Sequence, residues 1–333
     1  MIDLHTVSGM TMRDAITRAL HEVMSSDDDA IMLGEALDTR GGAALVTYGF
    51  LEAYGAERVI ETPISENALV GMALGAAVAG LNVVAEVYSA DFLFCAGSEV
   101  VNDIAKWRYQ HQWERPLNLV LRMPAGSAGS WSGPEHTQSI EGMLNNVPGL
   151  RIVVPSDSVS AALGLVEASR IGDPVIFLEH RALYNCTTEF PLDTVAPAGT
   201  SNVLDGRILR SGDDVTLVAW GSMVHVALQA ADMLAETGVS AEVVDPITIK
   251  PMNHSLVHSS LSKTGRLVIV DEGPRTGGVA ADIVVCALES ETQSLKQFRR
   301  VTFPDVHHPF DPRVEAALIP QACDVVAAVK SLS

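Results

Sequence analysis

The chain has 333 residues, 22 Lys plus Arg against 41 Asp plus Glu, a formal net charge of −19, and 47% hydrophobic residues. The apolar fraction excludes disorder as the main state, and the acidic balance excludes the basic footprint that nucleic acid or an anionic membrane requires. The length sets an expectation of two domains.

Thr11 opens a predicted helix, with Asp14 three residues on in a capping-box arrangement and Ile16, Leu20, Val23 and Met24 along one face. Residues 30–33 read as a short buried strand, Glu66 to Ala79 as a helix closed by Gly80, and Val83 to Val87 as a strand. A longer helix is predicted from Asp91 to about His111, then a strand over Leu117 to Leu121. A helix from about Gln138 to Asn146 precedes a strand at 151–154, and a helix over 158–171 precedes a strand from Pro174 to Leu178. Strands separated by helices imply a parallel sheet covered on both faces.

Residues 181–214 lose this periodicity among Pro191, Pro197, Gly199, Gly206 and Gly212. The alternation then restarts, with strands at 215–220, 241–244 and 267–271 and helices at 223–237 and 278–288. The expected organisation is a first domain over 1–185, a linker over 186–214, and a smaller α/β domain over 215–333. Cys95, Cys186, Cys286 and Cys323 form no CxxC, so they read as free, mostly buried thiols. Residues 1–15 hold no apolar signal core, and no apolar run reaches the roughly 20 residues of a membrane helix. The expectation is a cytoplasmic protein with no nucleic-acid or membrane partner.

No GxGxxG opens a helix after a strand, and there is no P-loop or GxSxG elbow. Three segments carry more information. In Glu61-Thr62-Pro63-Ile64-Ser65-Glu66 a strand-to-helix turn ends in a glutamate opening an apolar helix. The plain reading is capping by Ser65 and dipole complementation by Glu66. A carboxyl in such an apolar setting has its charged form disfavoured and can donate a hydrogen bond. In the segment from Ala85 to Phe92, Phe92 lies just past a strand's carboxyl end, where open α/β sheets place ligands. It offers a flat apolar face, although a core phenylalanine is the commoner fate. Finally, Arg122 to Gln138 runs from a strand through a long Gly/Ser loop that delivers His136 to a helix start, and histidine exchanges protons near neutral pH.

Together these segments resemble the β subunit of the thiamine-diphosphate-dependent 2-oxoacid dehydrogenases, which act on pyruvate, branched-chain 2-oxo acids or acetoin. Matching stretches are Leu33-Gly34-Glu35, Arg40-Gly41-Gly42, Glu61 to Gly71, Ala85 to Phe94, Ala105 to Tyr109, Glu135 to Gly142, Pro148-Gly149-Leu150 and Asp173 to Tyr184. The second domain resembles the transketolase carboxyl-terminal domain at Ala219 to Ser222, Val244-Asp245-Pro246 and Glu272 to Gly278. The implied fold is a pyrimidine-type, thiamine-diphosphate-binding, doubly wound parallel-sheet domain followed by a smaller transketolase C-terminal-like α/β domain.

By that resemblance Glu66 matches the glutamate that bonds the aminopyrimidine ring nitrogen and so activates the cofactor, which serves as electron sink when the bond beside the carbonyl breaks. Phe92 matches the aromatic packed on the aminopyrimidine, and Ile64, Ser65, Tyr88 and Glu35 match neighbouring pocket positions. His136 matches a histidine that moves or orients protons in the transfer steps. The family's diphosphate and magnesium motif, GDG, lies on an α subunit, and this sequence has no GDG. The resemblance therefore implies a cofactor shared with an α subunit, magnesium on that subunit, a second β subunit, and a lipoyl-bearing acyltransferase or carrier protein. It also implies a potassium site at Leu119, Ala168, Ser169, Ile171 and Asp173. Tyr88, Ser89-Ala90, the loop at 130–132, Ile247 and His307-His308-Pro309-Phe310 depart from the family pattern. These departures leave two other readings open: a transketolase-like enzyme passing a two-carbon or acyl unit to a carrier protein, and a non-catalytic scaffold.

Overall fold

The computed structural model describes residues 7, 9–127, 129, 132–187, 202–291 and 293–332. The first sheet runs β1 (Ala30–Glu35), β2 (Val59–Thr62), β3 (Asn82–Glu86), β4 (Leu119–Ala125), β5 (Arg151–Val153) and β6 (Val175–His180). The second is built from β7 (Arg207–Arg210), β8 (Val215–Ala219), β9 (Ala241–Asp245), β11 (Arg266–Pro274) and β12 (Gln297–Phe303). Between them in sequence, β10 (Thr248–Lys250) crosses back to the first sheet and pairs antiparallel with β5. The strand orders are β10-β5-β6-β4-β3-β1-β2 and β12-β11-β8-β9-β7. Apart from β10 on β5 and β7 on β9, every pairing is parallel.

Parallel strands need both faces covered, and alternation along each strand supplies the two faces. On the first sheet Met32, Val84, Val120, Val153 and Val175 point to helices Met12–Ser26 and Ser158–Ala168. Ile31, Leu33, Val83, Ala85 and Leu121 point the other way, to helix Glu66–Val78. That second cluster continues into Trp220, Val218, Ile269 and helix Val279–Glu289, so one core joins the two sheets. Val215, Leu217, Val268 and Val270 pack against helices Met223–Ala235 and Ala322–Lys330 on the far side.

Thr11 caps its helix as expected, accepting from the Asp14 backbone N–H at 3.1 Å. The long helix predicted from Asp91 is replaced by three pieces: a 3-10 segment over Ala90–Ala96, a π segment over Glu99–Ile104 and a short α turn over Trp107–Gln110. Burial explains the first piece, because Ala90, Leu93 and Ala96 are buried at a spacing of three, the 3-10 period. The linker prediction included 207–210, but these residues form the edge strand β7, too short to show a period in sequence. Residues 188–201 of that linker lie outside the described residues, and Val203–Asp205 form a 3-10 turn. The four cysteines are free, yet Cys95, Cys186 and Cys323 are exposed and Cys286 is half-buried, so the expectation of buried thiols fails. Among the described residues no helix is long and apolar enough to cross a membrane.

Candidate active site

The carboxyl ends of β1, β2, β3, β4 and β6 lie side by side, with Glu35 opposite Thr62, Gly34 opposite Glu86, and Ala125 opposite His180. Open α/β sheets place ligands beyond this edge. Each segment singled out by sequence leaves from one of these ends.

Glu35 closes β1 and is 5% exposed. Its Oε1 is buried with no hydrogen-bond partner among the described residues. Burial, and then the neighbouring Glu66 carboxylate, push Glu35 above the usual carboxylate range, against a backbone N–H from Ser65. Glu66 is the first residue of its helix and half-buried. Ser65 occupies the N-cap position, but its side chain makes no capping bond; its hydroxyl donates to Asn67 Oδ1 at 2.9 Å. Ile64 is 82% exposed and Met72, on the same helix, is exposed as well, as is Phe94 beside the site. Glu61 serves structure, since it accepts the backbone N–H groups of Asp38 and Thr39 at 2.7 and 3.0 Å.

Tyr88 and Phe92 follow β3, and both are half-buried. The Phe92 ring meets the His136 ring edge-on, with centroids 5.2 Å apart and an interplanar angle of 81°. The structure therefore brings Glu35 to Ser65 and Glu66, and Phe92 to His136. Of the loop leading to His136, residues 128, 130 and 131 lie outside the described residues.

Sequence reasoning missed the polar frame around these groups. Arg122 on β4 is fully buried, forks onto Glu179 at 2.7 and 2.6 Å, and also binds Glu86. Glu179 takes a third bond from the Tyr184 hydroxyl at 2.6 Å. A second buried cluster joins the domains: His180 Nε2 lies 2.6 Å from Glu272, which also accepts from Ser222 Oγ at 3.0 Å and the Ser127 N–H at 2.6 Å. Burial opposes charge there, but His180 holds Glu272 below the usual range. Next to it, burial and Glu141 push Asp271 up to about 8. Only strand register could have paired such distant residues, and sequence does not supply it.

The expected potassium positions lie around the neighbouring starts of β4 and β6, where the Leu117 N–H donates to the Gly172 carbonyl at 3.0 Å. Leu119 begins β4, Ala168 ends its helix, and Ser169 and Ile171 follow. Both oxygens of Asp173 are taken by arginines: Oδ1 by Arg108, and Oδ2 by Arg151 at 2.9 Å. Among the described residues no group of three or more His, Cys, Asp or Glu is placed to hold a metal ion.

Residues 8–187 match the transketolase pyrimidine-binding domain, and residues 204–325 the transketolase C-terminal domain. The mitochondrial pyruvate dehydrogenase E1 component subunit β-1 of Arabidopsis thaliana is 38% identical, covering 96% of this chain and 88% of the relative. The 2-oxoisovalerate dehydrogenase subunit β of Bacillus subtilis is 35% identical, covering 98% and 99%. This chain belongs to the β-subunit family of the thiamine-diphosphate-dependent 2-oxoacid dehydrogenases. Its fold also superposes on a split-gene transketolase in an inactive β4 tetramer, with a TM-score of 0.80, 25% identity and 97% of this chain covered. The two domain matches follow one another along the chain, the pyrimidine-binding domain first.

Proposed function

We propose that the chain is the β subunit of a heteromeric enzyme that decarboxylates a 2-oxo acid oxidatively and passes the acyl group to a lipoyl group. The observation that carries this reading is the pairing at the sheet edge of two neighbouring carboxyls, one with an unanswered buried oxygen, with Phe92 against His136. These groups fit a nitrogen heterocycle: a carboxyl at Glu66 for a ring nitrogen, Glu35 Oε1 for a donor, and Phe92 for a flat face. Ile64, Ser65 and Tyr88 would border that ring. When bound, thiamine diphosphate supplies the electron sink for cleavage beside the carbonyl. Glu66 would hold a proton at the ring nitrogen, and His136 would move or orient one during transfer.

The reading includes an α subunit bearing the diphosphate and magnesium site, a second β subunit, and a lipoyl-bearing acyltransferase. Exposed Ile64, Met72 and Phe94 beside the site support a partner surface there. A potassium ion, if bound, would rest on the carbonyls of Leu119, Ala168, Ser169 and Ile171 and on Asp173. The relatives named above differ in their oxo acid, so the donor is left to experiment. The test is co-expression with a GDG-bearing α partner, followed by thiamine diphosphate, magnesium, a panel of 2-oxo acids and an artificial electron acceptor. Turnover on one of them is expected; an intact assembly with no turnover on any would sink the dehydrogenase reading.

A further inference from the structure

We propose that Asp91, which none of the matches assigns a role, is the positioning residue that holds His136 in register with Phe92. This deepens the functional reading above and rests on it for its kinetic consequence, though not for its geometry.

Asp91 is buried and spends both carboxylate oxygens across three segments. Oδ2 accepts from the Ser89 hydroxyl at 2.7 Å. Oδ1 accepts from Gln138 twice, from its side-chain Nε2 at 2.8 Å and its backbone N–H at 3.3 Å. Ser89 is itself fixed by Arg181, whose Nη2 donates to the serine oxygen at 2.5 Å from the end of β6. A relay from Arg181 through Ser89 and Asp91 to Gln138 thus ties the ends of β6 and β3 to the loop that carries His136. Asp91 immediately precedes Phe92, and Gln138 lies two residues after His136. The two ends of the edge-on ring contact are therefore set by the two ends of one carboxylate bridge.

The loop has other anchors: the Ser127 N–H donates to Glu272 at 2.6 Å, and the Thr137 hydroxyl to the Gly133 carbonyl at 2.7 Å. At its base the Gly126 N–H donates to the Gln138 carbonyl at 3.3 Å. At its tip Gly133 has φ +69°, and a Cβ there would come within 2.2 Å of the Phe310 ring. None of these contacts reaches the Phe92 segment. A carboxylate suits the bridge because it accepts several hydrogen bonds in one plane without a proton of its own. An asparagine could keep the geometry, its oxygen accepting from Gln138 and its amide donating to Ser89. An alanine could not.

The experiment uses the full chain and its assembly with the α partner. In the full chain, 13C-histidine spectra report the His136 ring protons, which sense the Phe92 ring. Asp91→Ala and Gln138→Ala should each move that resonance, and Asp91→Asn should leave it in place. In the assembly, misplacement by about an ångström costs up to about 100-fold. Asp91→Ala should lower kcat by roughly 10-fold to 100-fold while the KM for the 2-oxo acid changes little, and Asp91→Asn should recover most of the loss. The double variant Asp91→Ala with Gln138→Ala should lose no more than either alone, as partners in one bridge do. An unmoved His136 resonance in a folded Asp91→Ala chain overturns the inference. So does unchanged kcat, or equal losses in the Ala and Asn variants. A wild-type assembly without turnover defeats the enzyme reading instead, and the spectra still decide the positioning.

Discussion

Glu86 and Glu35 close neighbouring strands, β3 and β1, and both are buried, yet their surroundings differ. Glu86 receives the Ala43 backbone N–H at 2.6 Å on one oxygen and Arg122 on the other. Glu35 has one oxygen with no described donor and a like charge, Glu66, as its neighbour. A buried ion is costly unless paired and hydrogen-bonded. The first glutamate therefore serves as scaffold, fixing the loop at 42–43 to the sheet. The second keeps an unmet demand that an incoming group can satisfy. At one sheet edge, the degree of satisfaction separates framework from site.

Breaking the open pair should have the largest effect. Glu66→Gln should lower turnover of the assembled enzyme by about 10²- to 10⁴-fold, the range for loss of a positioned proton-transfer group. The unfolding midpoint should stay put, because Glu66 is half-exposed and no described residue donates to it. Equal activity would mean that the open carboxyl has no role. Breaking the closed pair should do the reverse. Arg122→Met leaves Glu86 and Glu179 buried without their cation, a loss of about 3–5 kcal/mol in denaturant unfolding. A loss below about 1 kcal/mol would show that Ala43 and Tyr184 suffice, which would weaken the contrast.

The domain junction lies between the two extremes. Asp271 Oδ1 accepts the Gly273 N–H at 2.7 Å, and the Ala280 N–H also favours its charged form, but burial and Glu141 outweigh both. Its folded value of about 8 exceeds the ordinary 3.8, so the folded state binds the extra proton. The stability it contributes is present below about 4 and is lost as pH rises towards 8. Asp271→Asn should therefore raise the thermal midpoint at pH 8.5 and leave it unchanged at pH 4. A parallel shift at both values would assign the effect to packing instead of protonation. Thr11→Ala touches neither cluster and should cost about 1 kcal/mol with activity intact, as loss of an N-cap does.

The sequence exposed the repeating strand–helix order and the parallel sheet, because hydrophobic period is a local property. It also marked Glu66, Phe92 and His136 through the resemblance, and the structure brings Phe92 and His136 into contact. Local signals failed where tertiary demand took over: the spacing of Ala90, Leu93 and Ala96 broke a predicted helix. Gln138, expected inside a helix beginning there, is drawn instead to Asp91, and the helix starts at Glu141. Arg122 gave no sign, since its partners Glu86 and Glu179 lie 36 and 57 positions away and meet it only through strand register.

The crossing of β10 has a bearing on how such a gene can be divided. Two recognisable sequence modules end up as one mechanical piece: β10 hydrogen-bonds to β5, the Val154 N–H reaches the Ile247 carbonyl at 2.8 Å, and a single core spans both sheets. A transcript cut after residue 187 would leave β5 as a bare edge, open to pairing with any other chain. Gene fission, fragment display or a recombination crossover placed in the apparent linker would yield a sticky half-protein. Exchanges with relatives should carry the stretch 1–250 as a block.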